Sequence, residues 1–312
     1  AKSSGADIIL VTPAANMKDF SPFKSEHRSG LNGDERQKWS GLFGSGEAFH
    51  QAGEFREALE RLQAAAPIDD DRADLHYRIG QSQFALEQFD DAHASFVRAI
   101  ENDICPLRAL PEIQQSVEQA AIRHVVPLVD FRSIVEEACR EGYGHDSPGR
   151  EFFLDHVHPT ISSHRLLALA IMQAMTLRGV LSPNDQWGDA SIEEATQNIE
   201  SRIDADLQTR ALTNLAQVLG WAGKQEEAGP LAVRAVQMRA DAQLKVDPEA
   251  LYYAAINYAT TGDDERAIEL LGKVVQLQPG NAEALWRLGA LLYDHGQFSA
   301  ALPHLQIATQ VN

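Results

Sequence analysis

Apolar and small residues recur three or four positions apart along most of the chain, which is the spacing that places them on one face of an α-helix. A shift of the sequence by 34 residues brings residues of similar size into register: Gly46 with Gly80, Ala58 with Ala92, Leu62 with Phe96, Ala65 with Ala99, Gly262 with Gly296 and Ala267 with Ala301. A further set in the same order lies 39 residues before its successor: Ala216, Gly223, Ala228 and Ala235. The pattern predicts five copies of one helical unit.

Each copy is predicted to be two antiparallel helices joined by a turn that contains glycine. The turns have the sequences AGEF, WAGKQEEA, TTGDDERA and DHGQFSAA. The small residues fall where the two helices must approach closely, and hairpins that cannot bury their own apolar faces stack on one another. This spacing resembles that of tetratricopeptide repeats (TPRs), over residues 39–106 and about 209–312.

The resemblance to TPRs implies a right-handed helical solenoid whose concave face binds a peptide or a partner protein. The alternative is that the repeats only brace the neighbouring part of the chain. No two-carboxylate clamp pattern that would identify a ligand stands out in the sequence, so the ligand stays open.

Outside the repeats, two short apolar runs rich in β-branched residues predict buried strands, Asp7–Thr12 and Val125–Phe131. Helices are predicted between Leu110 and His124, around Ser133–Arg140, and from about Ser162 to Arg178. The last helix is expected to be core along the stripe Leu166, Leu167, Leu169, Ala170 and Ile171. This order of strands and helices is typical of a parallel α/β sheet, whose site lies in the loops at the carboxyl ends of its strands.

Candidate chemistry is concentrated in the loop before the last helix, where the sequence reads Asp155-His156-Val157-His158-Pro159. This stretch resembles the DxxHP block of SGNH/GDSL-type hydrolases, and the resemblance covers about residues 5–34 and 108–178. It implies that His158 is a general base and that Asp155 orients its imidazole and stabilises the charged form.

Two further residues follow the carboxyl end of the first predicted strand, where a substrate would lie in such a sheet. Asn16 could donate a hydrogen bond to a substrate, and Lys24 could meet an anionic group. The ordinary polarity of a loop explains both residues equally well.

The nucleophile and the oxyanion-hole blocks of the hydrolase family are not found in the sequence. Only six residues precede Asp7, and the serine of GSGEAF (Gly44–Phe49) lies in the first helix of a repeat. We therefore expect this chain by itself to be catalytically inert, and a longer parent chain to act as an esterase or acyltransferase on an ester or acyl substrate. The missing initial Met suggests an N-terminal cut.

Two other interpretations of the histidine loop stay open. Nitrogen and oxygen ligands for a metal are offered by Asp155, His156, His158 and His164, with His145 and Asp146 nearby. A purely structural interpretation makes Asp155 a cap of the loop or helix and the histidines surface residues. The metal interpretation would give an enzyme of another class; the hydrolase interpretation needs no cofactor.

The formal net charge of −18 disfavours nucleic acid as a partner, because binding to a phosphate backbone needs clustered Lys and Arg. The acidity predicts a solvated surface or a groove for basic peptides. No run of 18 apolar residues predicts a membrane span, and the first residues lack the pattern of a signal peptide. The two cysteines, Cys105 and Cys139, form no disulfide framework, so we expect a cytoplasmic protein.

Together these patterns predict a mostly α chain that combines TPR hairpins with a partial α/β unit. Residues 1–34 and 107–181 are assigned to the α/β unit, and residues 35–106 to an inserted pair of repeats. Residues 182–208, beginning with the linker Ser182–Asp189, lead into three more repeats over residues 209–312. The predicted function is partner binding by the repeats, attached to the carboxyl-terminal part of an SGNH-like hydrolase domain.

Overall fold

The chain is mostly helical. The computed structural model describes residues 5–311, with fourteen α-helices and two short strands in that range. The chain divides into two compact units, of which the first ends at Gly188 and the second begins at Asp189. Within residues 5–311, none of the helices combines the length and the apolar character that a membrane crossing needs.

Two helical hairpins form the middle of the first unit. Their helices are α1 (Gly33–Gln51), α2 (Phe55–Ala65), α3 (Ala73–Ala85) and α4 (Phe89–Glu101). In each hairpin a glycine of the first helix faces a large side chain of the second. A Cβ on Gly46 would lie 2.7 Å from Leu62 Cγ, and one on Gly80 would lie 2.8 Å from Phe96 Cδ1. Glycine at these positions therefore sets how closely the two helices pack.

The turns of these two hairpins adopt the same backbone conformation with different residues. Gly53 has a φ of +76°, and Glu87, 34 residues later, has a φ of +60°. The left-handed region costs a residue with a Cβ roughly 1–2 kcal/mol, whereas glycine enters it freely. The second hairpin therefore keeps the turn geometry of the repeat although Glu87 stands where the first hairpin has glycine.

The remainder of the first unit contains both strands. They are β1 (Leu10–Val11) and β2 (Leu128–Val129), with α5 (Pro111–His124), α6 (Phe131–Tyr143) and α7 (Ile161–Leu177). The strands pair in parallel, Leu10 with Leu128 and Val11 with Val129. They are two residues long, shorter than the predicted runs, since each has a single neighbour in the described residues to extend its ladder.

A small core holds this strand-bearing segment together. It contains Ala14, Phe131, Val135, Cys139, Phe152 and Phe153, all buried. The apolar stripe of α7 is less buried than expected, because Leu166 and Leu167 pack against this core only half-buried and the only fully buried residue of that helix is Ser163. Leu166, Leu169 and Ile171 are half-buried. Leu166 and Ala170 line an apolar depression between α6, α7 and β2 that no described segment fills.

The second unit contains one leading helix and three hairpins. Its helices are α8 (Asp189–Glu200), α9 (Ala205–Trp221), α10 (Gln225–Asp241), α11 (Pro248–Thr260), α12 (Asp264–Leu277), α13 (Ala282–Asp294) and α14 (Phe298–Val311). The carboxylates of Asp204, Asp247 and Asp263 accept backbone N–H groups at three helix starts, which satisfies donors that lack a partner within the helix.

The close contacts of the first unit recur in the second. A Cβ on Gly289 would lie 2.6 Å from Leu305 Cγ, and one on Gly220 would lie 2.6 Å from Tyr253 Cε1. The alanines that defined the repeat pattern are buried, among them Ala216, Ala228, Ala267 and Ala301. Small residues thus occupy the positions where the helices pack most closely.

Candidate functional site

The histidine loop places two of the predicted site residues in direct contact. Asp155 Oδ2 lies 2.6 Å from His158 Nδ1, and Asp155 Oδ1 accepts hydrogen bonds from the backbone N–H groups of Val157 and His158. The carboxylate is largely buried, whereas the His158 side chain is 73% exposed. Within residues 5–311 no hydrogen bond is seen at His158 Nε2. The loop therefore fixes His158 Nδ1 in a hydrogen bond and leaves Nε2 exposed to solvent.

The hydrogen bonds around Asp155 stabilise its charged form. Burial by itself would raise the pKa of Asp155. The backbone N–H groups of His158 and Val157 and the His158 ring outweigh burial, and the pKa of Asp155 lies below its ordinary value. An ionised Asp155 that accepts from Nδ1 selects the imidazole tautomer whose Nε2 is free to take a proton.

Asn16 lies beside this loop, and Lys24 lies elsewhere. Asn16 is 1% exposed; its backbone N–H donates to His156 O at 2.9 Å, and its Oδ1 accepts from the Asp19 N–H. The exposed Lys24 Nζ lies 2.8 Å from Glu26 Oε1. Within residues 5–311, no contact joins Lys24 to Asp155 or His158. The structure brings together three of the four predicted site residues.

The two neighbouring histidines differ in burial. His164 is exposed, as expected. His156 is buried against Phe20, with ring centroids 3.9 Å apart. The interpretation of His156 as a surface residue was therefore wrong, because the loop turns its ring inward onto the segment that follows β1.

Potential metal ligands are gathered at a different place from the one the sequence suggested. Within residues 5–311, the cluster with suitable ligand atoms consists of Cys139, His145 and Glu151, whose atoms lie within 4.8 Å of one another. It does not contain Asp155, His156 or His158. Lys18 Nζ lies 3.0 Å from Glu151 Oε2 and supplies a positive charge to this cluster.

The surroundings of this cluster decide the protonation of its thiol and its imidazole. Burial and the nearby Glu151 carboxylate raise the pKa of Cys139 to about 12, so the thiol stays protonated. Burial and Lys18 lower the pKa of His145, so its imidazole stays neutral. The Cys139 thiol lies 3.2 Å from His145 Nδ1, and the Lys18 ammonium donates a hydrogen bond to the Glu151 carboxylate. These contacts satisfy the polar groups of the cluster.

A groove on the second unit is the other candidate site. The first helices of the three hairpins (α9, α11 and α13) line it, together with the start of α10. Its volume is about 430 Å³, and its lining residues are Gln217, Gly220, Trp221, Gln225, Glu249, Tyr252, Tyr253, Ile256, Asn281, Glu283 and Arg287. Because three successive hairpins contribute, stacking itself creates the groove.

The groove combines exposed aromatic surface with charge. Trp221 is 74% exposed at the end of α9. The Tyr253 ring lies against the α9 backbone, where Gly220 leaves space for it. Arg287 donates from Nε to the Tyr252 hydroxyl at 3.1 Å, and its Nη2 lies 3.0 Å from Glu283 Oε1. The guanidinium is therefore already bound within the chain.

The sequence patterns did not single out these groove residues. Trp221 and Tyr253 satisfy the same apolar helical spacing as core residues. Periodicity alone therefore could not separate an exposed tryptophan from a buried one. A usable signal was that Trp221 directly follows Gly220 at the end of a first helix, next to the turn glycine Gly223.

Sequence comparison identifies the hairpins at the carboxyl-terminal end. Residues 258–311, from the end of α11 through α14, match the profile of the family described as Tetratricopeptide repeat. This stretch is a TPR. No curated protein matches the chain.

Several solved structures are similar to this chain over most of its length, at low identity. One is YrrB, a TPR protein with an unusual peptide-binding site, at 13% identity over 89% of both chains with a TM-score of 0.27. Another is the TPR2AB-domain:pHSP90 complex of yeast Sti1, at 11% identity over 88% of this chain and 91% of that one, with a TM-score of 0.28. A third is MamA 41-end from Desulfovibrio magneticus RS-1, at 14% identity over 89% and 96%, with a TM-score of 0.26. At such low TM-scores these likenesses add no evidence on the ligand of this chain.

Proposed function

We propose that the chain is a protein-interaction module whose second unit binds an extended segment of a partner in the groove of α9, α11 and α13. The observation that carries this proposal is Trp221, a large aromatic side chain that is 74% exposed at the edge of that groove. Exposure of the apolar indole ring to water is unfavourable, and a bound partner that covers the ring removes this cost. Tryptophan is also among the residues that dominate binding energy at interfaces.

The shape of the groove favours an extended peptide over a compact small molecule. Its lining residues come from three successive hairpins and span Gln217 to Arg287 in the sequence. Side-chain amides of Gln217, Gln225 and Asn281 lie along it. Gln225 Nε2 already donates to Gly220 O, and the Asn281 amide is bonded to Gln278 Oε1 and the Ala284 N–H; the remaining donors and acceptors of these amides can meet a peptide backbone. Each hairpin can thus contact one or two residues of a bound segment.

A displayed library of random 12-residue peptides, selected on the intact chain, tests the proposal. We expect groove binders that lose affinity at least about tenfold on Trp221→Ala, as for a truncated interface hot spot. Trp187→Ala is the matched control, because Trp187 is 44% exposed but lies outside the groove. Binders that respond equally to the two changes, or no binders at all, would contradict this function.

A second function is proposed for the histidine loop: Asp155 and His158 form the base and its orienting carboxylate in a site of the SGNH/GDSL type. The 2.6 Å contact at Nδ1 and the exposed imidazole support it, as does the parallel pairing of β1 with β2, which precede the loop in the chain. The hydrolase assignment rests on the sequence motif and this geometry. Asn16, buried beside the loop, is the proposed neighbour of the substrate, and Lys24 is proposed to meet an anionic group of it.

Ester hydrolysis tests the second function. We expect this 312-residue chain not to hydrolyse p-nitrophenyl acetate above the buffer rate, because within residues 5–311 no hydrogen bond joins His158 Nε2 to a nucleophilic side chain. When the chain is part of a protein that supplies a serine nucleophile, His158→Ala should lower kcat/KM by about 10²–10⁴-fold, the range of general-base catalysis. An unchanged kcat/KM there would remove His158 from the mechanism.

A further inference from the structure

The charges in the groove are not balanced. Three charged side chains line it: Glu249, Glu283 and Arg287. Arg287 is engaged by Glu283 and by the Tyr252 hydroxyl. For Glu249, no ion pair and no hydrogen bond of its carboxylate is seen within residues 5–311. Within residues 5–311, the groove therefore holds one carboxylate without an ion-pair or hydrogen-bond partner.

Aromatic rings accompany this carboxylate. Trp221 and Tyr253 line the same groove, and the Tyr252 ring lies 5.2 Å from that of Tyr253 in an edge-on arrangement. Burial and the negative charge of Glu249 raise the pKa of Tyr253, so its hydroxyl stays neutral. Indole and phenol faces attract cations, and their flat surfaces cover the methylene stem of a long side chain.

We propose that this groove takes a lysine or arginine side chain of the partner peptide, with the ammonium or guanidinium against Glu249 and the methylene stem against Trp221. This inference rests on the proposed binding function and names its partner chemistry. A peptide carboxylate is disfavoured at the same position, because it would meet Glu249 while the nearby guanidinium is already occupied by Glu283.

The charge of the whole second unit agrees with this assignment. Residues 189–312 contain seventeen acidic and nine basic residues, a net charge of −8. A field of this sign raises the local concentration of cationic segments and speeds their association. It does not choose a site, however. The preference for a cationic side chain at this position comes from the unpaired Glu249 carboxylate beside the exposed Trp221 ring.

The test compares the composition of selected peptides on three versions of the intact chain: wild type, Glu249→Gln and Glu265→Gln. Glu265→Gln removes the same charge at an exposed position outside the groove. Selection is carried out at about 0.15 M salt, where charges farther apart than roughly 8 Å are largely screened. Peptides that respond to Trp221→Ala are counted as groove binders.

We expect Lys or Arg at a fixed position of the groove binders on wild type and Glu265→Gln, and loss of that preference on Glu249→Gln. Replacement of that residue by norleucine or citrulline should weaken binding at least about tenfold, as for loss of a hydrogen bond to a charged group. Groove binders without a cationic position, or with a preference that survives Glu249→Gln, would overturn this inference and leave the binding function standing. The absence of any Trp221-dependent binder would overturn both.

Discussion

The hairpins and the strand-bearing segment of the first unit complete the packing of their helices to different degrees. In α4, Phe96 is 1% exposed against Gly80 of its own hairpin partner. In α7, which is more apolar, Leu166, Leu167 and Leu169 are half-buried, Leu177 is exposed, and Ser163 is the only fully buried residue. A hairpin finds its partner helix a few residues along the chain. A helix that covers a sheet needs strands that are distant in sequence, and this sheet has two.

The largest expected contrast is between two leucine truncations in the first unit. Leu62 is 0% exposed and fills the contact with Gly46, so Leu62→Ala should lower the free energy of unfolding by about 2–5 kcal/mol. Leu169 on α7 is half-buried, so Leu169→Ala should cost roughly 1 kcal/mol. Urea unfolding of the first unit measures both. Equal costs would show that α7 is as well packed as the hairpins.

Glycines of the hairpins provide the next contrast, with opposite signs. Gly80→Ala places a Cβ 2.8 Å from the Phe96 ring and should destabilise the unit by about 1–3 kcal/mol. Gly41→Ala, also within a helix but facing open space, should stabilise it by about 0.5–1 kcal/mol, because alanine restricts the unfolded chain and favours helix. The two midpoints in urea should move in opposite directions. A shift in the same direction would refute the close-packing role of Gly80.

The turns of the two hairpins predict a smaller effect. Glu87→Gly should stabilise the unit by about 1 kcal/mol, because it relieves a left-handed conformation. The converse change at the equivalent position, Gly53→Ala, should destabilise it by a similar amount. Thermal unfolding of the two variants checks the pair. If Glu87→Gly lowered the Tm, a contact of the Glu87 side chain would outweigh the backbone strain.

The smallest expected effect is the pH dependence of the histidine loop. The pKa of Asp155 is lowered in the folded chain. Its contribution to stability is therefore present above the unfolded pKa of about 3.9 and is lost as the pH falls through the folded value. Compared with Asp155→Asn, the wild type should lose a few tenths of a kcal/mol more of stability in that acidic window. Parallel pH profiles would mean that Asp155 is not held by His158 and the two N–H groups.

The sequence predicted features that depend on nearby residues and missed those that depend on distant ones. The 34-residue repeat located the hairpin contacts, since Gly46 and Leu62 lie in one hairpin and Gly80 and Phe96 in the next. The DxxHP spacing placed Asp155 against His158, because three residues of a tight loop determine that contact. The burial of His156 depends instead on Phe20, and that of α7 on strands beyond its own segment.

The groove residues also could not be predicted from the sequence, because they are distant from one another along the chain. Glu249, Trp221 and Arg287 lie in three hairpins, and only their stacking brings them to one surface. An unpaired carboxylate cannot be recognised from the sequence, because Arg287 could have paired with Glu249 instead of Glu283. The geometry of the stack decides which carboxylate stays available.

The most direct test of partner binding by the groove is ¹⁹F NMR of the chain labelled with 5-fluorotryptophan. The four tryptophans, Trp39, Trp187, Trp221 and Trp286, give resonances that single Trp→Phe variants assign. Addition of a selected peptide should shift the Trp221 resonance and leave those of Trp39 and Trp187, neither of which lines the groove, unchanged. A shift at Trp39 or Trp187 with Trp221 unmoved would contradict the account and place the binding surface elsewhere.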